Sequence, residues 1–377
     1  MTTVTAILRT KSKVKAPPKT TSGSALPLGK QLAHTDKKVR DAAFANVIDF
    51  LSNGGITQLL APLEDAGGVI PRTAEEESQD IRRGQLPPLE MRRLWKGFWM
   101  SDKPLVQQRL ASDLSSIILQ INPRSTTDGE DEEEASLARD MAALDFIEGF
   151  WEAIIREWVG IDRFRMDKYY MLLRRWVNAS FRLLARSQWN PIIVDRYNQI
   201  LVDVTNGPLA WANPRTPASL GWHLADLWVE ELDKVVGEIE DAQAPIPTLL
   251  QPFSQLLTRT NNPQTSSRLL HAVYVPILKA SLPDADPQAL NDRASKRRKT
   301  SSSSPEDARA KVRGILDGND SAGDERLGRD VLGGLMKEAG LPDEQGVKDV
   351  NRRKVYAFVR DWGGADEEDE SEDEDDE

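Results

Sequence analysis

From Gln31 onward, apolar residues recur at the three-and-four spacing of an amphipathic helix, and runs of strict alternation are rare. The pattern predicts helices and almost no strand. Asp36 stands as an N-cap before an apolar face of Val39, Ala43, Phe44, Val47, Ile48 and Leu51, and Asn53-Gly54-Gly55 ends that helix. Residues 62–86 read as loop. A second helix is expected from Pro88 to Met100, and Ser101-Asp102 caps a third that has Pro104 in its first turn and ends near Ile121. These two form a hairpin. Longer helices follow at about 136–160, 162–187, 190–206, 217–237, 246–260 and 264–281, with two weaker ones at about 324–340 and 343–361.

Connections between the long helices are short and carry Pro or Gly, which favours antiparallel pairs laid side by side. The predicted fold is all-α, a degenerate HEAT/armadillo-like stack of antiparallel helix pairs. No fixed period accompanies it, so the repeat is architectural rather than textual.

Composition changes this picture at the ends. Twenty-two prolines and a mean hydropathy of −0.49 imply unpacked segments beside the core. Residues 1–29 hold Arg9, Lys11, Lys13, Lys15 and Lys19 and no acid, which reads as a basic, disordered arm. A mitochondrial leader is also acid-poor and Ser-rich, but Pro17-Pro18 interrupts the helix it needs. At the other end, 363–377 is an acidic tail: every residue from Asp366 to Glu377 except Ser371 is an acid, which accounts for the whole formal charge of −11. Between the ends, the expected organisation is a helical-repeat domain over 30–283 with an acidic loop at 122–135, a disordered linker over 284–323, and a short helical segment over 324–362. The chain has no cysteine, which excludes thiol chemistry and Cys-type zinc sites and suits a reducing compartment. No stretch has the length and apolarity of a membrane span, so no membrane partner is expected.

Catalysis finds little to stand on. His34, His223 and His271 are scattered without ligand spacing, and phosphate loops, dinucleotide fingerprints and nucleophile elbows are absent. No cofactor, metal or small-molecule substrate is expected. Asp162 and Asp167 lie where a helix begins, a place for capping carboxylates rather than a metal pair. Nine of the ten tryptophans fall between Trp95 and Trp228; Trp151 and Trp158, seven apart beside Ile154 and Ile155, read as core, although aromatics beside cations also suit base stacking. In the helix at 162–187, a turn of about 100° per residue aligns Lys168, Arg175, Arg182 and Arg186 in one stripe. That stripe has two readings. It is a solvated face or one ion-paired with Glu148, Glu152 and Glu157 of the preceding helix, or it is a ladder of phosphate contacts for RNA.

The run Lys296-Arg297-Arg298-Lys299, in a Ser-rich stretch, fits a nuclear import signal and so a nuclear, nucleolar location. Three further segments carry a resemblance: Leu94-Trp95-Lys96-Gly97; Trp99-Met100-Ser101-Asp102-Lys103-Pro104; and Glu157-Trp158-Val159-Gly160-Ile161-Asp162-Arg163-Phe164-Arg165-Met166-Asp167-Lys168. With them the chain resembles the nucleolar Nop52 family of ribosomal RNA-processing proteins, more loosely from Gln31 to Leu232. It departs from the family in joining the first two segments directly through Gly97-Phe98-Trp99, roughly one helical turn shorter. The resemblance implies a nucleolar factor for maturation of large-subunit precursor rRNA, a helical scaffold whose partners are pre-60S assembly factors, ribosomal proteins and precursor rRNA. The competing expectation is a general nuclear helical-repeat adaptor that binds protein tails.

Overall fold

In the computed structural model, the described residues are 28–53, 94–122, 132–239, 243–287, 305–316 and 321–363, apart from 33, 35, 96 and 286. Among them every regular element is helical. Two leading helices, α1 (Leu28–Leu32) and α2 (Lys37–Asn53), precede α3 (Pro104–Gln120), α4 (Glu132–Trp158), α5 (Met166–Arg186), α6 (Pro191–Val202), α7 (Ala218–Val236) and α8 (Ile246–Arg259). Then come α9 (Pro263–Leu269), a π-helical turn (Leu270–Tyr274) and α10 (Val275–Ser281), and finally α11 (Pro305–Lys311), α12 (Arg313–Leu316), α13 (Ser321–Ala339) and α14 (Asp349–Asp361). None of these is long and apolar enough to cross a membrane.

Prolines place several of the starts. A proline at the first helical positions lacks only an N–H that would have been orphaned anyway, so Pro104, Pro191 and Pro263 begin helices without cost to the ladder. Asn190 and Asn262 complete two of these starts by accepting the backbone N–H of Ile192 and Gln264, each at 2.9 Å. Pro276 acts differently. It cannot donate within the helix expected at 264–281, and the ladder loosens into the π turn just before it.

Alternate helices pack on one another: α3, α5, α7 and α9 make one layer, while α4, α6 and α8 make the other, which α13 extends. This alternation is compatible with stacked antiparallel pairs. Aromatic side chains fill the space between the layers. Trp176 of α5 stacks on Phe150 of α4 at 3.6 Å, and Trp228 of α7 meets Phe181 of α5 and Phe253 of α8 edge-on, each at 4.9 Å. Trp151, Trp176 and Trp228 are fully buried, as core side chains.

Two expected boundaries are corrected. Residues 132–135, assigned to the acidic loop at 122–135, form the first turn of α4, because Glu132, Glu133 and Glu134 at a helix N-terminus oppose the positive end of its dipole. The linker expected at 284–323 is partly folded: α11 and α12 lie within it and α13 starts there. Its apolar set, Ala308, Val312, Ile315 and Leu316, is too sparse to advertise a helix, but all four are buried once the stack supplies a surface. Asp233 of α7 accepts the Ile315 N–H at 3.0 Å and so caps α12. The segment expected as a separate helical piece at 324–362 joins the same core. Its Glu338 pairs with Arg259 of α8, both almost fully buried, and Asn351 donates to the carbonyls of Thr258 and Thr260 at 3.2 and 2.8 Å. The loop expected at 62–86 and the start of the helix expected at 88–100 lie outside the described residues.

The α12 contact depends on two glycines meeting backbone to backbone. A Cβ on Gly314 would lie 2.8 Å from the Gly237 Cα and closer still to the Asp233 carbonyl oxygen, and neither neighbour is a side chain that can swing away. Gly314→Ala should therefore lower stability by about 1–3 kcal/mol and raise amide exchange across 305–316 first. Unchanged exchange there would mean that α12 does not depend on this approach.

Candidate functional site

The segment at 94–103 and the start of α5, far apart in sequence, meet at one end of the stack. Residues 94, 95 and 97–99 are helical, and the chain then turns into α3. A helix end leaves carbonyls without donors. Lys168, in the first turn of α5, supplies them: its ammonium donates to the carbonyls of Phe98 at 3.0 Å, Trp99 at 2.8 Å and Ser101 at 3.0 Å. Ser101 helps from within the turn, its hydroxyl donating to the Phe98 carbonyl at 2.7 Å, and Gln107 of α3 donates to the Ser101 carbonyl at 2.8 Å. Lys168 is only 6% exposed. Burial pushes its pKa down to about 8, with Arg165 adding to the depression and Asp102 and Asp162 opposing it.

Aromatic rings close the junction beside this amine. Tyr169 stacks on Trp95 at 4.1 Å and meets Phe98 edge-on at 5.2 Å. Burial drives the Tyr169 hydroxyl pKa well above its ordinary value. Arg165 lays its guanidinium 4.7 Å from the centre of the Trp99 ring. Asp162 caps the turn before α5, accepting from the backbone N–H of Phe164 at 3.0 Å and Arg165 at 3.1 Å, and it pairs with the Arg165 side chain. That ion pair holds the Asp162 carboxyl below its usual range. Trp158, at the end of α4, donates from its indole to the Ser219 hydroxyl of α7 at 3.1 Å.

The basic stripe is not a free ladder. Lys168 is buried as described, and the other three cations each reach an acceptor within the chain. Arg175 bonds the Gln108 carbonyl and the Ser112 hydroxyl of α3. Arg182 bonds Asn178 at 2.8 Å and Glu238 at 2.7 Å, and Arg186 bonds the Leu119 carbonyl at 2.9 Å and the buried Asp140 at 2.7 Å. On the flank toward α7, Arg174 pairs with Glu230 and Glu231, at 2.8 and 2.7 Å. Of the acids expected to face the stripe, Glu148 instead pairs with Arg196, and Glu152 and Glu157 with Arg156. The reason is geometric. The outward line of α5 runs between α3 and α7 in the same layer, so Arg174, Arg175 and Arg182 lean sideways toward them, while Arg186, in the last turn of α5, reaches back to Asp140 of α4.

His223 is half-buried, its ring 4.0 Å from that of Tyr170 and its Nε2 donating to the Tyr170 carbonyl at 3.4 Å; burial lowers its pKa and that bond opposes the shift. Among the described residues, no group of His, Asp or Glu has the arrangement of a metal site. Lys96 and Lys296 to Lys299 lie outside the described side chains.

Sequence comparison decides the lineage. The profile described as "Nucleolar protein, Nop52" matches residues 23–359. The chain belongs to the Nop52 family. The match runs past the Leu232 limit of the motif-level resemblance and into α14, so the Nop52 unit takes in α8–α14 as well. Among its relatives, human "Ribosomal RNA processing protein 1 homolog A" is 26% identical over 301 residues, covering 72% of this chain and 60% of the relative. The mouse protein of the same name is 28% identical over 199 residues, covering 52% and 36%. The Drosophila melanogaster "Ribosomal RNA processing protein 1 homolog" is 32% identical over 169 residues, covering 43% and 21%. This Nop52 chain thus spans less than two thirds of the length of each of these relatives.

The Lys168 geometry separates this cation from the rest of the stripe. Lys168→Met takes one donor from each of three carbonyls, of which Phe98 and Ser101 keep their bonds from Ser101 and Gln107, and should cost about 1–3 kcal/mol in urea denaturation, whereas Arg182→Ala, which breaks a half-exposed pair, should cost under about 1 kcal/mol. Equal losses would show that the three-carbonyl clamp contributes no more than a surface contact.

Proposed function

We propose that the chain is a non-catalytic nucleolar assembly factor required for processing of large-subunit precursor rRNA, a rigid helical scaffold that holds assembly proteins and rRNA together in a pre-60S particle. The observation that carries this reading is the family match over 23–359, which takes in the whole described stack, together with relatives named for ribosomal RNA processing. The architecture supports a scaffold: at the motif junction Lys168, Arg165 and Asp162 spend their reach inside the chain, holding helices together. The partners in this reading are pre-60S assembly factors, ribosomal proteins and precursor rRNA. A phosphate contact through α5 would fall to Arg175 and Arg182, since Lys168 is buried and Arg186 neutralises the buried Asp140. No observation favours the general transport adaptor.

Import is assigned to Lys296-Arg297-Arg298-Lys299, which lies between α10 and α11 and so leaves the folded helices on either side intact when removed. Two measurements test the proposal. Depleting the protein should lower free 60S subunits and accumulate large-subunit rRNA precursors while early 40S maturation continues; equal loss of both subunits, or an unchanged polysome profile, would overturn the ribosomal role. Deleting 296–299 from a fluorescent fusion should move it from nucleolus to cytoplasm, and an unchanged nucleolar signal would reassign import to the basic arm, to Arg352-Arg353-Lys354 or to a partner.

A further inference from the structure

The outward face of α14 carries cations that the fold does not use. Asn351, Val355 and Val359 are buried on its inner side, as is Trp362 just past its end. On a helix turning about 100° per residue, Arg353 and Arg360 lie on the opposite side, about 20° apart in bearing and about 10 Å apart along the axis. Tyr356, 40% exposed, stands between them. Arg352 is spent within the chain: it bonds the carbonyls of Ala339 and Leu341, each at 2.9 Å, and pairs with Asp343 and Asp349, each at 2.6 Å. Among the described residues, Arg353, Lys354 and Arg360 form no ion pair and no side-chain hydrogen bond. Earlier in the stack the pattern is different, with Arg174, Arg182, Arg186, Arg196 and Arg268 each holding an acid.

The acids of α14 do not cancel this line. Asp349 is held by Arg352, and Asp361, exposed and without an ion pair, lies about 20° from Lys354 and about 100° from Arg360 in bearing. Asp361 therefore offsets Lys354 and leaves the two arginines uncovered. The helix stops at Gly363, whose φ of +73° is left-handed and whose N–H bonds the Arg360 carbonyl at 2.9 Å. A residue in that conformation ends a helix and turns the departing chain off its axis, here beside the turn that holds Arg360. Just beyond Gly363 the acidic run begins at Asp366 and continues to Glu377, broken by Ser371 alone. Carboxylates so closely spaced repel one another and the negative end of the α14 dipole, so cations within reach relieve them most. Fully extended at about 3.3 Å per residue, the run from Asp366 to Glu377 covers about 40 Å, ample to pass from Arg360 to Arg353. Covalent attachment also holds it beside them at an effective concentration of about millimolar.

We propose that the outward face of α14, Arg353 and Arg360 with Tyr356 between them, is the docking surface for the chain's own acidic run, Asp366 to Glu377. The docked run shields the two arginines, and any other polyanion must displace it to bind there. Because the contact is exposed and electrostatic, it opens as ionic strength rises. The inference rests on this face and this run and does not depend on the ribosomal role.

The test uses the full chain, which has no cysteine, with one nitroxide spin label on Ser371→Cys. At about 50 mM salt the label should broaden the amide resonances of 350–354, well back from the run's attachment, and about 0.5 M salt should restore them. Arg353→Glu together with Arg360→Glu should abolish the broadening with circular dichroism unchanged, since both side chains are exposed, whereas the same pair changed to Lys should keep it. A fluorescein-labelled dodecaglutamate peptide should bind a chain lacking 366–377 at least about tenfold more tightly than the full chain, and the double Glu variant should lose that gain. Broadening that survives in the double Glu variant, that centres on other helices or on 296–299, or that grows with protein concentration would overturn the proposal, the last naming a second copy as the occupant. So would a peptide affinity unchanged by removing the run, or a uridine-rich RNA that binds Arg353 and Arg360 while the label's effect persists.

Discussion

Three backbone carbonyls at the end of a short helix converge on one lysine ammonium, with Ser101 and Gln107 adding a bond to two of them. Lys168 thereby fixes where the segment before α3 sits on α5, and with it the placement of Trp95, Phe98 and Trp99 around Tyr169. A buried ammonium is costly unless each of its hydrogens is bonded, and here all three are. The same requirement explains why Asp102 and Asp162 stand nearby: their charge offsets part of the desolvation without a direct bond to the amine.

Polar contacts continue along the rest of α5. Arg174, Arg175, Arg182 and Arg186 tie α5 to its neighbours on both sides, two of them through carboxylates that are themselves nearly buried, Glu231 and Asp140. Aliphatic burial between the layers is non-directional and would tolerate sliding; the guanidinium forks are directional and help fix the register of one helix against the next. Layer spacing comes from Trp176 and Trp228, and register comes from the arginines.

Much of this was legible in the sequence. The apolar periodicity placed α2, α5, α7 and α8 within a few residues, because each has a proline, asparagine, aspartate or glycine at an end and a full apolar face between. Asp162 as a cap and Trp151 and Trp158 as core could be read from their neighbours. The burial of Lys168 could not: its spacing matches the three arginines, and what withdraws it is a carbonyl cluster some seventy residues earlier in the chain. Nor could α11 and α12 be foreseen, since their stability comes from Asp233 and Gly237, not from their own propensity. The one local clue was Gly314 amid Val312, Ile315 and Leu316, an apolar stripe with a gap in it.

The bond between Arg259 and Glu338 has a consequence for how the protein emerges from its own synthesis. Arg259 ends α8, its carboxylate partner comes 79 residues later, and the carbonyls of Thr258 and Thr260 wait still longer for Asn351. During vectorial synthesis, at about 5–20 residues per second, α8 therefore passes seconds with a charged side chain and two carbonyls facing a surface that does not yet exist. The last two helices act as the lid stone of an unfinished arch: the earlier layers can form pair by pair, but their final member stays hydrated and reversible until the far end of the chain arrives to seal it.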